Sequence, residues 1–139
     1  MAHKDYSATP LSKKLGIKDG MRVSLVGEPD EFPARLEPLP PGVKFLERAT
    51  QPLDVIIHFT RFQSRLEKRF PILAKNLDYA GGLWIAYPKK SSDLETDLTF
   101  ESVQRIGLDN GLVDNKSIAV DDDWSAVRFV YRLKDRPKP

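Results

Sequence analysis

The chain has 139 residues, a length for one domain that buries roughly 68–70% of its unfolded surface. Its 40% hydrophobic, 30% charged and 9% aromatic content is that of a folded globular protein and excludes disorder. The net charge is +2, from 22 Lys and Arg against 20 Asp and Glu with the signs interspersed, which is no nucleic-acid footprint; the lack of cysteine excludes disulfides, thiolate metal sites and a Cys nucleophile.

A single domain over 1–139 is expected, with short flexible segments at 1–8 and 134–139. The first residues, MAHKDYSATPLSKK, hold no apolar signal core, and no run approaches the ~18–20 apolar residues that cross a bilayer. The protein is therefore read as cytoplasmic, with neither membrane nor nucleic acid among its expected partners. Leu11, Leu15 and Ile17 suit a short helical turn. Met21 to Gly27 (MRVSLVG) reads as a first buried strand and as the central one.

Four prolines between Glu28 and Pro41 leave room for only a short helix near Glu31 to Leu36, and Val43 to Glu47 reads as a second short strand. Leu53 to Thr60 (LDVIIHFT) is a continuous apolar run of strand length. Phe62, Leu66, Phe70, Leu73 and Leu77 follow at helical spacing, and Gly81-Gly82 opens a second apolar run that closes at Pro88. Strand, helix, strand in this order is a right-handed crossover in a parallel sheet. Ser64 and Glu67 have the spacing of a capping box, and Pro71 predicts a kink or two helical pieces.

Thr99 can cap a helix through Leu108 that buries Val103 and Ile106. The last segment reads as a hairpin, with strands at Ser117 to Val120 and Ser125 to Leu133 and a turn at Asp121 to Asp123. The expected fold is thus α/β: a three-layer Rossmann-like domain whose mostly parallel sheet is closed by a C-terminal antiparallel hairpin.

In such sheets ligands lie beyond the carboxyl ends of the strands. Arg61, Lys89 and Lys90, with Ser91 beside them, fall at those ends and are the predicted ligand-binding residues for a small anion such as a carboxylate or phosphate. His58, inside an apolar run, is read as a hydrogen-bonded packing histidine. Asp121 to Asp123 lacks the spacing of a calcium loop. No metal site and no catalytic residue is predicted. G-x-S-x-G, H-E-x-x-H, G-x-x-x-x-G-K and D-P-P-Y are absent, so hydrolase, zinc protease, P-loop and amino-methyltransferase readings lose their usual support.

The element order resembles that of class I S-adenosylmethionine-dependent methyltransferases in shortened form. KDGMRVSLVG is similar to the first motif region of that family, LDVIIHFT to its fourth strand, GGLWIAYPK to its fifth, and the closing hairpin to its sixth and seventh. TPLSKKLGIK, LWIAYPKK, TDLT, GLVDNK and WSAVRF resemble, across nearly the whole chain, a small bacterial family called domain of unknown function 3052. The methyltransferase resemblance implies S-adenosylmethionine as cofactor, with Gly27 at the cofactor turn and Glu47, about 20 residues later, at the position of a ribose-binding carboxylate.

Two features depart from that pattern. The turn Gly27-Glu28-Pro29-Asp30 has one glycine and a proline, which removes a donor where close backbone approach is needed. Glu28, Asp30 and Glu31 would also oppose a pyrophosphate at a helix start, ranking a dinucleotide below the cationic sulfonium. The function expected is a non-catalytic binding module for a small anionic ligand or a protein partner, without a cofactor. The alternative is a divergent S-adenosylmethionine-dependent methyltransferase. The second strand, as an uncovered edge, allows a homodimer.

Overall fold

A computed structural model describes residues 9–47 and 52–137. Six strands form one sheet: β1 (Arg22–Val26), β2 (Lys44–Phe45), β3 (Leu53–Phe59), β4 (Leu77–Pro88), β5 (Leu112–Ala119) and β6 (Trp124–Tyr131), in the spatial order β2-β1-β3-β4-β6-β5. β1 pairs in parallel with both β2 and β3, and β3 with β4, while β6 runs antiparallel to β4 and to β5. The mostly parallel sheet with its closing antiparallel hairpin is therefore observed as expected.

The long apolar runs are explained by burial on both faces. Along β3 and β4 alternate residues enter opposite cores: Ile56, Leu83 and Ile85 pack with Leu66, Phe70 and Leu73 of helix α3 (Gln63–Asn76) and with Val103 and Ile106 of helix α4 (Phe100–Asp109). Val55, Ile57, Phe59, Trp84 and Ala86 pack on the other side with Leu15 and Ile17, which follow the one-turn helix α1 (Leu11–Lys14), and with Phe32 and Leu36 at the short helix α2 (Phe32–Arg35). Trp84, fully buried, donates its indole Nε1 hydrogen to the Leu15 carbonyl at 3.0 Å and so anchors the α1 segment to the sheet. No described helix is long and apolar enough to cross a membrane.

Several local expectations change. β1 is second from an edge, because β2 is followed by no further described strand on that side; β3 and β4 occupy the centre. β2 shrinks to two residues, and β5 begins at Leu112 rather than Ser117, directly after α4. Helix α3 runs unbroken through Pro71, whose exposed position leaves Phe70, Leu73 and Ala74 anchored in the core. It ends at Asn76, so Leu77 opens β4 instead of continuing the helical face.

The Ser64–Glu67 capping box does not form. The helix starts two residues earlier, with Phe62 rather than Ser64 as N-cap, and the Gln63 N–H donates to Asp97 Oδ1 at 2.7 Å. Thr99 does cap α4, in a reciprocal box with Ser102. Within the segment expected to be flexible at 134–139, Leu133–Asp135 form a 3₁₀ turn and the Arg136 guanidinium donates to the Tyr131 carbonyl; residues 1–8 and 138–139 lie outside the described residues.

Candidate functional site

β2 lies on one side of β1 and β3 on the other, so the chain leaves the carboxyl ends of β1 and β3 in opposite directions and a crevice opens between them. It holds a cleft of about 750 Å³. Val26, Gly27 and Pro29 form one wall, the stretch from His58 to Phe62 forms the floor, and α3 supplies Arg65, Lys68 and Arg69; Leu94 and Trp124 close the remaining side.

The two strand ends are held tightly. Gly27 has φ +71°, and a Cβ there would lie 2.7 Å from the Phe59 carbonyl oxygen, so the turn after β1 demands glycine twice over. The Phe59 ring is gripped edge-on between Phe32 and Trp124, with centroids 4.7 and 5.0 Å away. Thr60 N–H donates to the Ala86 carbonyl of β4 at 2.9 Å. The Arg61 carbonyl accepts from Thr96 Oγ1 (2.6 Å) and from Asp97 N–H (3.3 Å), which fixes the backbone from which the arginine projects. Its guanidinium lies 5.3 Å from the Phe62 ring centroid, a cation–π contact.

The lining carries four cations, Arg61, Arg65, Lys68 and Arg69, and no carboxylate. Among the described residues the ion pairs are Arg22–Asp54 and Arg35–Asp121, neither of them in the cleft. Arg65 and Arg69 stand one helical turn apart, an arrangement that costs a helix a few tenths of a kcal/mol, about 0.2–0.5, when nothing offsets it. An anion in the cleft would offset it.

His58 is 7% exposed on the same floor. Burial pushes its imidazole below the ordinary histidine value; a hydrogen bond to Val26 opposes that shift and the charge of Arg69 adds to it. Nδ1 lies 3.3 Å from the Val26 carbonyl oxygen, and Nε2, sealed from water, has no partner among the described residues. A buried acceptor left so costs about 1–3 kcal/mol.

Of the residues predicted from sequence, Gly27 and Arg61 line this cleft. Lys89 and Lys90 do not join them: they border a separate depression of about 410 Å³ with Thr99, Glu101 and Ser125. The loop after β4 divides the two hollows, since Leu94 faces the first while Thr96 and Leu98 face the second. Ser91 is exposed and borders neither; Glu47 is exposed past the end of β2 and outside the cleft. Asp121 serves the hairpin turn, accepting from Asp123 and Trp124 N–H and pairing with Arg35, and no group of acids or histidines suited to a metal occurs among the described residues.

Sequence reading missed Arg65, Lys68 and Arg69, and assigned His58 to packing. The signal was present in the four-residue step from Arg61 to Arg65 to Arg69.

No protein-family profile matches the chain, and no curated protein does. Solved structures do match. The magnesium protoporphyrin IX methyltransferase of Synechocystis PCC 6803 with bound S-adenosylhomocysteine is 10% identical at a TM-score of 0.57, over 88% of this chain and 78% of that one. A ribosomal protein L11 methylase from Lactobacillus delbrueckii subsp. bulgaricus is 11% identical at 0.55, over 87% and 74%. An S-adenosylmethionine-dependent methyltransferase from Aquifex aeolicus is 18% identical at 0.55, over 84% and 85%. At such identities the likeness establishes architecture. This chain has the Rossmann-like fold of the S-adenosylmethionine-dependent methyltransferases.

Proposed function

We propose that the cleft between β1 and β3 binds a small anionic ligand, and that the protein is a binding module built on a methyltransferase scaffold. The observation that carries this reading is the lining itself: four basic side chains, no carboxylate, and no ion pair that occupies those cations among the described residues. Arginine forks suit carboxylate and phosphate oxygens. Isothermal titration with inorganic phosphate and with citrate should give binding that Arg65→Ser together with Arg69→Ser abolishes. Equal binding by that variant would sink the reading.

A second reading is divergent S-adenosylmethionine-dependent methyl transfer. The fold likeness speaks for it over a purely binding role, since two of the similar structures carry S-adenosylhomocysteine and S-adenosylmethionine. The residues fit that cofactor only in part. Arg61 suits the carboxylate of its methionine tail. The adenosyl half finds little: Glu47 is exposed outside the cleft, Pro29 stands in the wall where donors are needed, and no described strand continues the sheet past β2. No methyl-transfer step is therefore derived. A thermal-shift titration separates the readings, because a binder at micromolar affinity raises the melting temperature by mass action; no shift with millimolar S-adenosylmethionine or S-adenosylhomocysteine removes the methyltransferase reading.

The same proposal includes membership of the domain of unknown function 3052 family, supported by the phrases quoted above, and a cytoplasmic location, which cell fractionation checks. Lys89 and Lys90 remain proposed contacts at the neighbouring depression, and Ser91 beside it on the exposed loop, for a ligand or a protein partner. A homodimer through the edge strand β2 is read directly by light scattering.

A further inference from the structure

The cleft has more room than a bare ion fills. Its volume of about 750 Å³ falls in the range of about 300–1,000 Å³ that takes a whole small molecule, whereas a lone oxyanion displaces only a few waters of about 30 Å³ each. The four cations stand at the end of β3 and on α3, while Pro29, Leu94 and Trp124 line the rest, each half-buried and therefore still open to solvent. This apolar side is held in place by the hairpin turn. Asp121 accepts from the Trp124 N–H at 2.9 Å and from the Arg35 guanidinium at 2.9 Å; Asp123 accepts from Ser92 Oγ at 2.9 Å, which in turn accepts from the Leu94 N–H at 3.1 Å. The Phe59 ring meets the Trp124 indole at 5.0 Å and 81°. One turn thus fixes the backbone from which both side chains reach the cleft.

We infer that the ligand of this cleft is an aromatic phosphate monoester, whose oxygens accept from the basic side chains while its ring covers Trp124, Leu94 and Pro29. This rests on the anion reading and names its ligand class. Inorganic phosphate meets the cations and leaves water against the tryptophan, the leucine and the proline; an apolar body removes that water. A ring also gains the quadrupolar attraction of the indole, which an alkyl chain lacks. Four cations without a carboxylate favour a dianionic phosphate over a singly charged acid, and they oppose the sulfonium of S-adenosylmethionine in the same place.

The test is calorimetric titration of the full chain with phenyl phosphate, butyl phosphate and inorganic phosphate at about pH 8, where all three carry nearly the same double charge. Phenyl phosphate should bind at least about tenfold tighter than inorganic phosphate, and tighter than butyl phosphate. The indole Nε1–H resonance of Trp124 should move with it, while that of Trp84, fully buried and bonded to the Leu15 carbonyl, should stay in place. In Trp124→Leu, shown folded by its melting curve, the preference for phenyl over inorganic phosphate should fall to within a factor of about three. Leu94→Ser, on a loop and outside the sheet, should lower the same preference, and it carries the test if Trp124→Leu does not fold. A wild-type preference below about twofold, butyl phosphate binding as tightly as phenyl phosphate, or a preference unchanged in the folded variants overturns the inference and leaves the anion reading standing. Binding of none of the three at millimolar concentration overturns both.

Discussion

His58 ties the carboxyl end of β3 to that of β1: its Nδ1 hydrogen goes to the Val26 carbonyl oxygen at 3.3 Å, across the point where the chain order of the sheet reverses. The hydrogen bond sets the tautomer, and burial sets the charge. Because the folded-state pKa lies below the ordinary 6.5, the unfolded chain takes up the proton first as the pH falls. The stability that depends on the neutral ring is complete above about pH 6.5, declines from there by at most about 1.4 kcal/mol per pH unit, and stops declining once the folded ring protonates. Urea unfolding between about pH 7 and pH 5 should show this slope in the wild-type chain and a flatter one in His58→Phe. An unchanged slope in the variant would place the titrating group elsewhere.

Gly27→Ala should destabilise by about 1–3 kcal/mol, since it adds a left-handed backbone cost to a collision with the Phe59 carbonyl. Gly111→Ala is the control: its φ is +84°, but a Cβ there meets nothing within 4 Å, so only the backbone cost of about 1 kcal/mol remains. Denaturant midpoints of the two variants read the difference. If they shift alike, the close approach of the two strand ends is not what requires glycine.

The start of α3 is held by a residue far away in sequence. Asp97→Ala removes the acceptor of the Gln63 N–H and should cost about 1 kcal/mol, as an N-cap loss does, whereas Ser64→Ala should change stability by less than about 0.5 kcal/mol. Thermal melts of the two single variants are sufficient. A larger loss at Ser64 would restore the local capping box.

Trp84→Phe should cost about 1–3 kcal/mol through lost packing volume and an orphaned Leu15 carbonyl, at a position that is fully buried. Hydrogen exchange should report the loss first at residues 11–17, the segment that Trp84 anchors. Uniform acceleration over the whole chain would count against that anchoring role.

The architecture was legible in sequence because its causes are local or periodic. Apolar runs at Leu53 to Thr60 and around Leu83 to Tyr87 had to be strands buried on both faces, Leu66, Phe70 and Leu73 had to be one helix face, and Thr99 could cap its own helix. The misreadings fell where a distant partner competes with a local rule. Asp97 outbids Ser64 for the start of α3, and packing of Phe70, Leu73 and Ala74 carries the helix across Pro71.

The site divides in the same way. Sequence by itself determined that Gly27 and Arg61 stand at strand ends, because the apolar runs and the glycine turn that mark those ends are properties of the chain. Tertiary structure decided which of these residues meet. It turns Leu94 toward the hollow that holds Arg61 and Thr96 with Leu98 toward the one that holds the two lysines, leaves Glu47 outside, and buries His58 with one nitrogen satisfied and the other not. Convergence of side chains depends on where loops cross strand ends, and burial of a single ring nitrogen depends on every element packed around it; neither has a period for a sequence to display.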